Sequence, residues 1–128
     1  MRPRTATLTE QELELMKIVW QKEPATVRDV YEALLERRKI AYTTVMTMMN
    51  ILEQKGHLKK SAHDKAFVYR PAKPKSQVIR GMVREFVDRV FNGSAEPLVV
   101  HLLEERQLSE KELRDIVRSV QQKERGRS

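Results

Sequence analysis

Residues 42–56 read YTTVMTMMNILEQKG. Coiled as a helix, Val45, Met48, Met49 and Leu52 fall at i, i+3, i+4 and i+7, one apolar stripe that must face a core. The opposite side presents Thr43, Met46, Thr47, Asn50 and Gln54, and no carboxylate comes until Glu53 near the end. An ordinary solvated face carries Glu and Lys; this one carries hydroxyls, amides and a thioether. Such groups suit base edges, since Asn pairs with adenine and Thr or Met touches a thymine methyl. A carboxylate there would be repelled by phosphates. A helix buried between two layers would have a similar composition, so the flanking sequence has to separate the two readings.

Upstream, Thr9 and Glu12 have the spacing of a capping box, which satisfies the first free amides of a helix. Leu13, Met16 and Trp20 lie on one face of that helix, Leu15, Ile18 and Val19 widen it, and Pro24 stops it. Thr26 caps a second helix in which Val27, Val30, Tyr31, Leu34 and Leu35 repeat the same periodicity. Its end, Arg37-Arg38-Lys39, sets positive charge at the negative end of the helix dipole. The same cluster stands just before the proposed reading helix, where it would reach phosphates. Ile40-Ala41 is a short apolar link with room for a strand residue or two, and Gly56 ends the third helix as a left-handed C-cap. Three short helices joined tightly, the last with a carboxylate-poor outer face, describe a helix-turn-helix. Met1–Thr7, with Arg2 and Arg4, reads as a frayed terminus in preference to an arm reaching DNA.

Downstream, Phe67 and Tyr69 alternate with Ala66, Val68 and Arg70 about a polar His63-Asp64-Lys65 turn. This predicts a β-hairpin over Leu58–Arg70 with its apolar side against the helices. A hairpin after a helix-turn-helix makes a winged helix, and Lys59, Lys60 and Lys65 become available to phosphates along the wing. Plain surface solvation is the alternative for each lysine. Pro71 and Pro74 bound a linker, dividing a DNA-binding domain (1–72) from a helical domain (73–128). In the latter, Ile79, Met82, Val83, Phe86, Val87, Val90 and Phe91 follow a helical stripe that Asn92-Gly93 ends. Pro97 suits the first turn of the next helix, whose apolar side is Leu98, Val99, Leu102 and Leu103. Ser109 and Glu112 repeat the capping-box spacing ahead of Leu113, Ile116, Val117 and Val120, and the tail from Lys123 reads as frayed. Three short helices with this much apolar surface and no room for a large core predict a homodimer. The expected interface residues are Ile79, Met82, Val83, Phe86, Val90, Leu98, Leu102, Leu113, Ile116, Val117 and Val120. The fold class is therefore mainly α with a small β-hairpin wing.

The 25 Lys and Arg against 18 Asp and Glu give a net charge of +7, which suits a polyanionic partner. No apolar run approaches the ~18 residues of a membrane span and no apolar signal core begins the chain, so a cytoplasmic protein without membrane insertion is expected. The absence of cysteine excludes disulfides, thiolate metal sites and cysteine nucleophiles. Four scattered glycines make no phosphate loop, there is no HExxH helix, and His57, His63 and His101 are dispersed. His63 beside Asp64 has no nucleophile partner. The expectation is a binding protein, not an enzyme, with no cofactor and no metal.

Four segments closely resemble the penicillinase repressor family, the BlaI/MecI type with its copper-responsive CopY branch. They are LTEQELELMKIVW (Leu8–Trp20), TVRDVYEAL (Thr26–Leu34), AYTTVMTMMNILEQKGHL (Ala41–Leu58) and FVYRP (Phe67–Pro71). The resemblance covers the first 72 residues strongly and continues beyond them in helix pattern and length. It implies a homodimeric repressor whose winged helices bind a palindromic operator in double-stranded DNA and whose C-terminal helices form the dimer. It also implies a recognition helix from Tyr42 to Gln54, with Thr43, Thr44, Met46 and Thr47 foremost among the DNA contacts. In the β-lactam branch a membrane sensor leads to proteolysis in the dimerisation domain, and the corresponding bond here is His101–Leu102. The CopY branch senses copper through a cysteine-rich tail, a route this cysteine-free chain lacks. Two rival readings share the fold: a winged-helix protein-interaction module, and a repressor gated by a small ligand between its domains.

Overall fold

Thr9 starts the first helix as its spacing predicts. Its hydroxyl accepts from the Glu12 amide at 3.1 Å, and the Glu12 carboxylate accepts from the Thr9 amide at 2.9 Å. The computed structural model describes residues 8–126; the basic segment Met1–Thr7 and residues 127–128 lie outside the described residues. The order is α1 (Glu10–Gln21), α2 (Val27–Leu35), α3 (Tyr42–Gln54), β1 (Leu58–His63), β2 (Ala66–Pro71), α4 (Lys75–Phe91), α5 (Glu96–Glu104) and α6 (Glu110–Gly126). The chain divides into two compact units, one ending at Met82 and one starting at Val83.

In the first unit Leu15, Met16 and Val19 of α1, Val30 and Leu34 of α2, and Val45, Met49 and Leu52 of α3 are fully buried together. Leu58 and Tyr69 of the hairpin close this core, as does Val78 from the start of α4. The buried stripe of α1 centres on Leu15, Met16 and Val19, while Leu13 and Trp20 are half-exposed, so the expected face is turned. The reason is that α1 packs against both α2 and β2 and needs a broad apolar side. Met82, expected at a dimer interface, is half-buried and packs against this core.

The hairpin is antiparallel with Leu58 opposite Pro71 and Lys60 opposite Tyr69. Strand β1 runs through His63, leaving a tighter turn at Asp64-Lys65 in which Asp64 takes the left-handed conformation at φ 56°. The expected apolar side is only half used: Tyr69 is buried, whereas Phe67 is 55% exposed. The strand-like residue between helices is not at Ile40-Ala41 but at Ala25, whose amide and carbonyl bond to Tyr69 at 3.0 and 2.8 Å. Ala41 instead serves as the N-cap of α3 through its backbone alone.

In the second unit, Asn92 (φ 53°) and Gly93 (φ 88°) turn the chain out of α4, a conformation glycine adopts without a Cβ penalty. Pro97 sits in the first turn of α5, and Ser109 and Glu112 form a capping box on α6. The tail expected to fray from Lys123 continues α6 as far as Gly126. From Val83 onward only Val87 is buried among the described residues. Val83, Phe86 and Val90 of α4 and Ile116, Val117 and Val120 of α6 remain exposed.

Among the described residues of the first unit, one ion pair is largely enclosed. Lys55, at the end of α3, donates to both carboxylate oxygens of Glu12 at 2.8 and 3.0 Å. Burial by itself raises the Glu12 carboxyl, but the Lys55 hydrogen bond, the Thr9 amide and the Lys55 charge outweigh it and hold the pKa below its ordinary value. Glu12 thus caps α1 and pins it to α3 at once. Because its folded pKa lies below the unfolded one, this stabilisation is complete above about pH 4.3 and is lost as pH falls through the folded value. Glu12→Gln is expected to cost about 1–3 kcal/mol at pH 7, as for a hydrogen bond to a charged group. Denaturant titrations at pH 7 and pH 3 check this: the gap between the two proteins should shrink in acid, and an equal gap would remove charge from the explanation.

Candidate nucleic-acid interface

The buried stripe of α3 fixes what the helix shows to solvent. With Val45, Met49 and Leu52 inward, helical spacing turns Thr43, Thr47 and Gln54 directly outward and Tyr42, Met46 and Asn50 to one side. All six are exposed, as is Thr44. Gly56 (φ 87°) ends the helix, and the His57 amide bonds back to the Leu52 carbonyl at 2.9 Å, which delivers the chain directly into β1. The outer face of α3 is therefore held by a packed core on one side and a short rigid turn at its end.

Tyr42, Met46 and Asn50 form one wall of a groove of about 590 Å³. The hairpin supplies the other wall through Lys60, Ala66, Phe67 and Tyr69, and the first turn of α2 closes one end with Thr26, Val27 and Arg28. Tyr42 meets Tyr31 of α2 edge-on, ring centroids 5.3 Å apart, which braces the start of α3. The Tyr69 phenol is pushed above its usual range, first by burial and then by the charges of Glu53 and Tyr42 nearby.

The three wing lysines differ. Lys59 and Lys65 are exposed, whereas Lys60, on the opposite face of β1 from Lys59, turns back toward α3. Its Nζ lies 3.6 Å from the Glu53 carboxylate and 4.7 Å from the centre of the Phe67 ring. The cluster before α3 is also partly occupied: Arg38 bonds Glu14 of α1 at 3.0 Å and Arg37 approaches the same carboxylate at 3.9 Å. These arginines tie the α2–α3 turn to α1, while Lys39 faces solvent.

Sequence reasoning missed the groove and its residues Arg28 and Phe67. A local signal existed for Arg28, because a cation in the first turn of a helix opposes the dipole. Among the described residues it pairs with exposed Glu32, one turn on, at 3.4 Å. No comparable signal marked Phe67, since alternation alone placed it with Tyr69.

A helix-turn-helix closed by a hairpin, with an acid-poor helix face exposed beside basic residues, is the architecture of a winged-helix DNA-binding protein. The chain belongs to the penicillinase repressor family, whose profile, described as Penicillinase repressor, matches residues 8–122. It is 29% identical over 109 residues to the penicillinase repressor of Bacillus licheniformis, covering 85% of each chain. It is 36% identical over 99 residues to the transcriptional regulator BlaI of Mycobacterium tuberculosis, covering 76% of this chain and 72% of that one. The solution structure of the DNA-binding domain of the repressor BlaI superposes with a TM-score of 0.51 at 27% identity, over 59% of this chain and 92% of that domain. No helix among the described residues is long and apolar enough to cross a membrane.

Proposed function

We propose that this chain is a cytoplasmic homodimeric repressor that lays α3 into the major groove of each half of a palindromic operator. The observation that carries the reading is the exposure of Thr43, Met46, Thr47 and Asn50 on a helix whose other stripe is fully buried. Tyr42 and Thr44 flank these residues at the start of the helix, and Lys59 and Lys65 approach phosphates from the wing. Lys60 joins them once released from Glu53. In this reading the winged helix is the binding domain and α4 to α6 supply the dimer.

Support for a dimer comes from apolar side chains that the single chain leaves in water. Val83, Phe86 and Val90 on α4 recur at helical spacing, as do Ile116, Val117 and Val120 on α6. Ile79, Leu98, Leu102 and Leu113 are half-buried. Joining two half-sites turns two weak contacts into one tight one, so control of the dimer is control of binding. Proteolysis at His101–Leu102 would exercise that control. The bond lies within α5, a nine-residue helix that contains no buried residue, and local unwinding to expose it costs little. A regulatory protease under a membrane sensor would be the partner for this step.

The deciding experiment titrates the protein against a duplex of its own upstream DNA and a scrambled duplex of equal length, at two salt concentrations. A large advantage for the native duplex that survives the higher salt is expected of specific recognition. Equal binding that fades together would hand the α3 surface to a protein partner instead. Thr47→Ala is expected to change preference at one operator base pair by roughly 1–3 kcal/mol, measured by competition among operator variants. A uniform loss on every variant would assign Thr47 to the backbone. Phe86→Ala, at a side chain 40% exposed in the single chain, is expected to weaken the dimer by about 2 kcal/mol or more. Sedimentation equilibrium across dilution measures it, and an unchanged profile would place Phe86 outside the interface.

A further inference from the structure

Glu53 is the one carboxylate on α3, and it stands at the end of the helix nearest the hairpin. It holds Lys60, a cation of the wing, at 3.6 Å. We propose that Glu53 is a positioning residue for DNA binding: it restrains Lys60 over the Phe67 ring in the free protein and yields it to a DNA phosphate in the complex. The inference deepens the operator-binding reading above and rests on it.

Three observations carry it. The Glu53–Lys60 pair is about one-third exposed on each side, 35% and 29%, so it is an exchangeable pair of small intrinsic strength. The enclosed Glu12–Lys55 pair, with two short hydrogen bonds, has no such freedom. Second, the Glu53 charge reaches the groove wall, since it helps to raise the Tyr69 phenol. A phosphate arriving there meets repulsion from Glu53 as well as a cation already engaged. Third, the Phe67 ring lies 4.7 Å from the Lys60 ammonium, a cation–π contact that keeps the ammonium at the groove edge after Glu53 lets go.

Glu53 therefore lowers affinity for every duplex alike and leaves the choice between sequences to the outer face of α3. In a chain of net charge +7 it removes one cation from indiscriminate phosphate binding.

The test is a double-mutant cycle in the full chain with Glu53→Gln, Lys60→Met and both together. Each protein is titrated by fluorescence anisotropy against the upstream duplex and the scrambled duplex over a series of salt concentrations. Glu53→Gln is expected to tighten binding to both duplexes roughly three- to fivefold, the scale of one exposed ion pair. Lys60→Met is expected to reduce the slope of log K against log salt by about 0.9, one phosphate contact. In the Lys60→Met background Glu53→Gln should give a clearly smaller gain, the part that direct repulsion of phosphate alone accounts for. An unchanged affinity in Glu53→Gln overturns the proposal, as does a gain that survives in full without Lys60, which would be a general charge effect. Failure of the operator reading looks different: the wild-type protein would then bind both duplexes equally, while the cycle stays measurable on either one.

Discussion

Burial of one side of α3 is the constraint from which the rest follows. Val45, Met49 and Leu52 are enclosed by α1, α2 and the hairpin, and truncating any such side chain to Ala would cost several kcal/mol through lost transfer energy and a residual cavity. That cost fixes the rotation of the helix about its own axis. A helix rolled by one residue would expose Leu52 and bury Asn50 without a partner. The polar face is thus aimed by the apolar one, and the side chains that meet a partner need no packing of their own to hold their direction.

Charged groups in the first unit fall into two mechanical classes. Glu12 and Lys55 are enclosed, doubly hydrogen-bonded and integral to the α1 cap, so they act as structure. Arg38 with Glu14 serves similarly at the surface, tying the turn before α3 to α1. Glu53 and Lys60 sit at the rim of the groove, where water already competes for both. Burial separates a rivet from a contact that a partner can rearrange, and the boundary between the classes runs along α3 itself, between Glu53 and Lys55.

What was legible in the sequence was local. The capping boxes at Thr9 and Ser109 and the hydroxyl cap at Thr26 follow from side chains three residues from the amides they serve; the return bond from Asp29 that completes a box at Thr26 was not read. The α3 stripe follows from a period that only one backbone conformation satisfies. The rotation of α1 was not legible, because its apolar residues cover more than one face and neighbours elsewhere in the chain select among them. The partners of Lys55, Arg38 and Ala25 lie 43, 24 and 44 residues away, so no local pattern could announce them. Three wing lysines looked equivalent until strand alternation set Lys59 and Lys60 on opposite faces. At the site, the outward residues of α3 were readable and the groove beside them was not, since it exists only once the hairpin folds back.

Beyond the rung that joins Lys60 to Tyr69, the hairpin continues for three more rungs in which Ser61 to Phe67 are all exposed. Nothing in the core of the first unit depends on how far this tip extends. Its length is accordingly open to change, but in steps: two added residues extend the ladder by one rung, whereas one added residue has to be taken up by a bulge or a different turn. A lineage can lengthen or shorten its wing by whole rungs and sample new contacts with a partner surface, at no cost to the helices that hold the reading face in place.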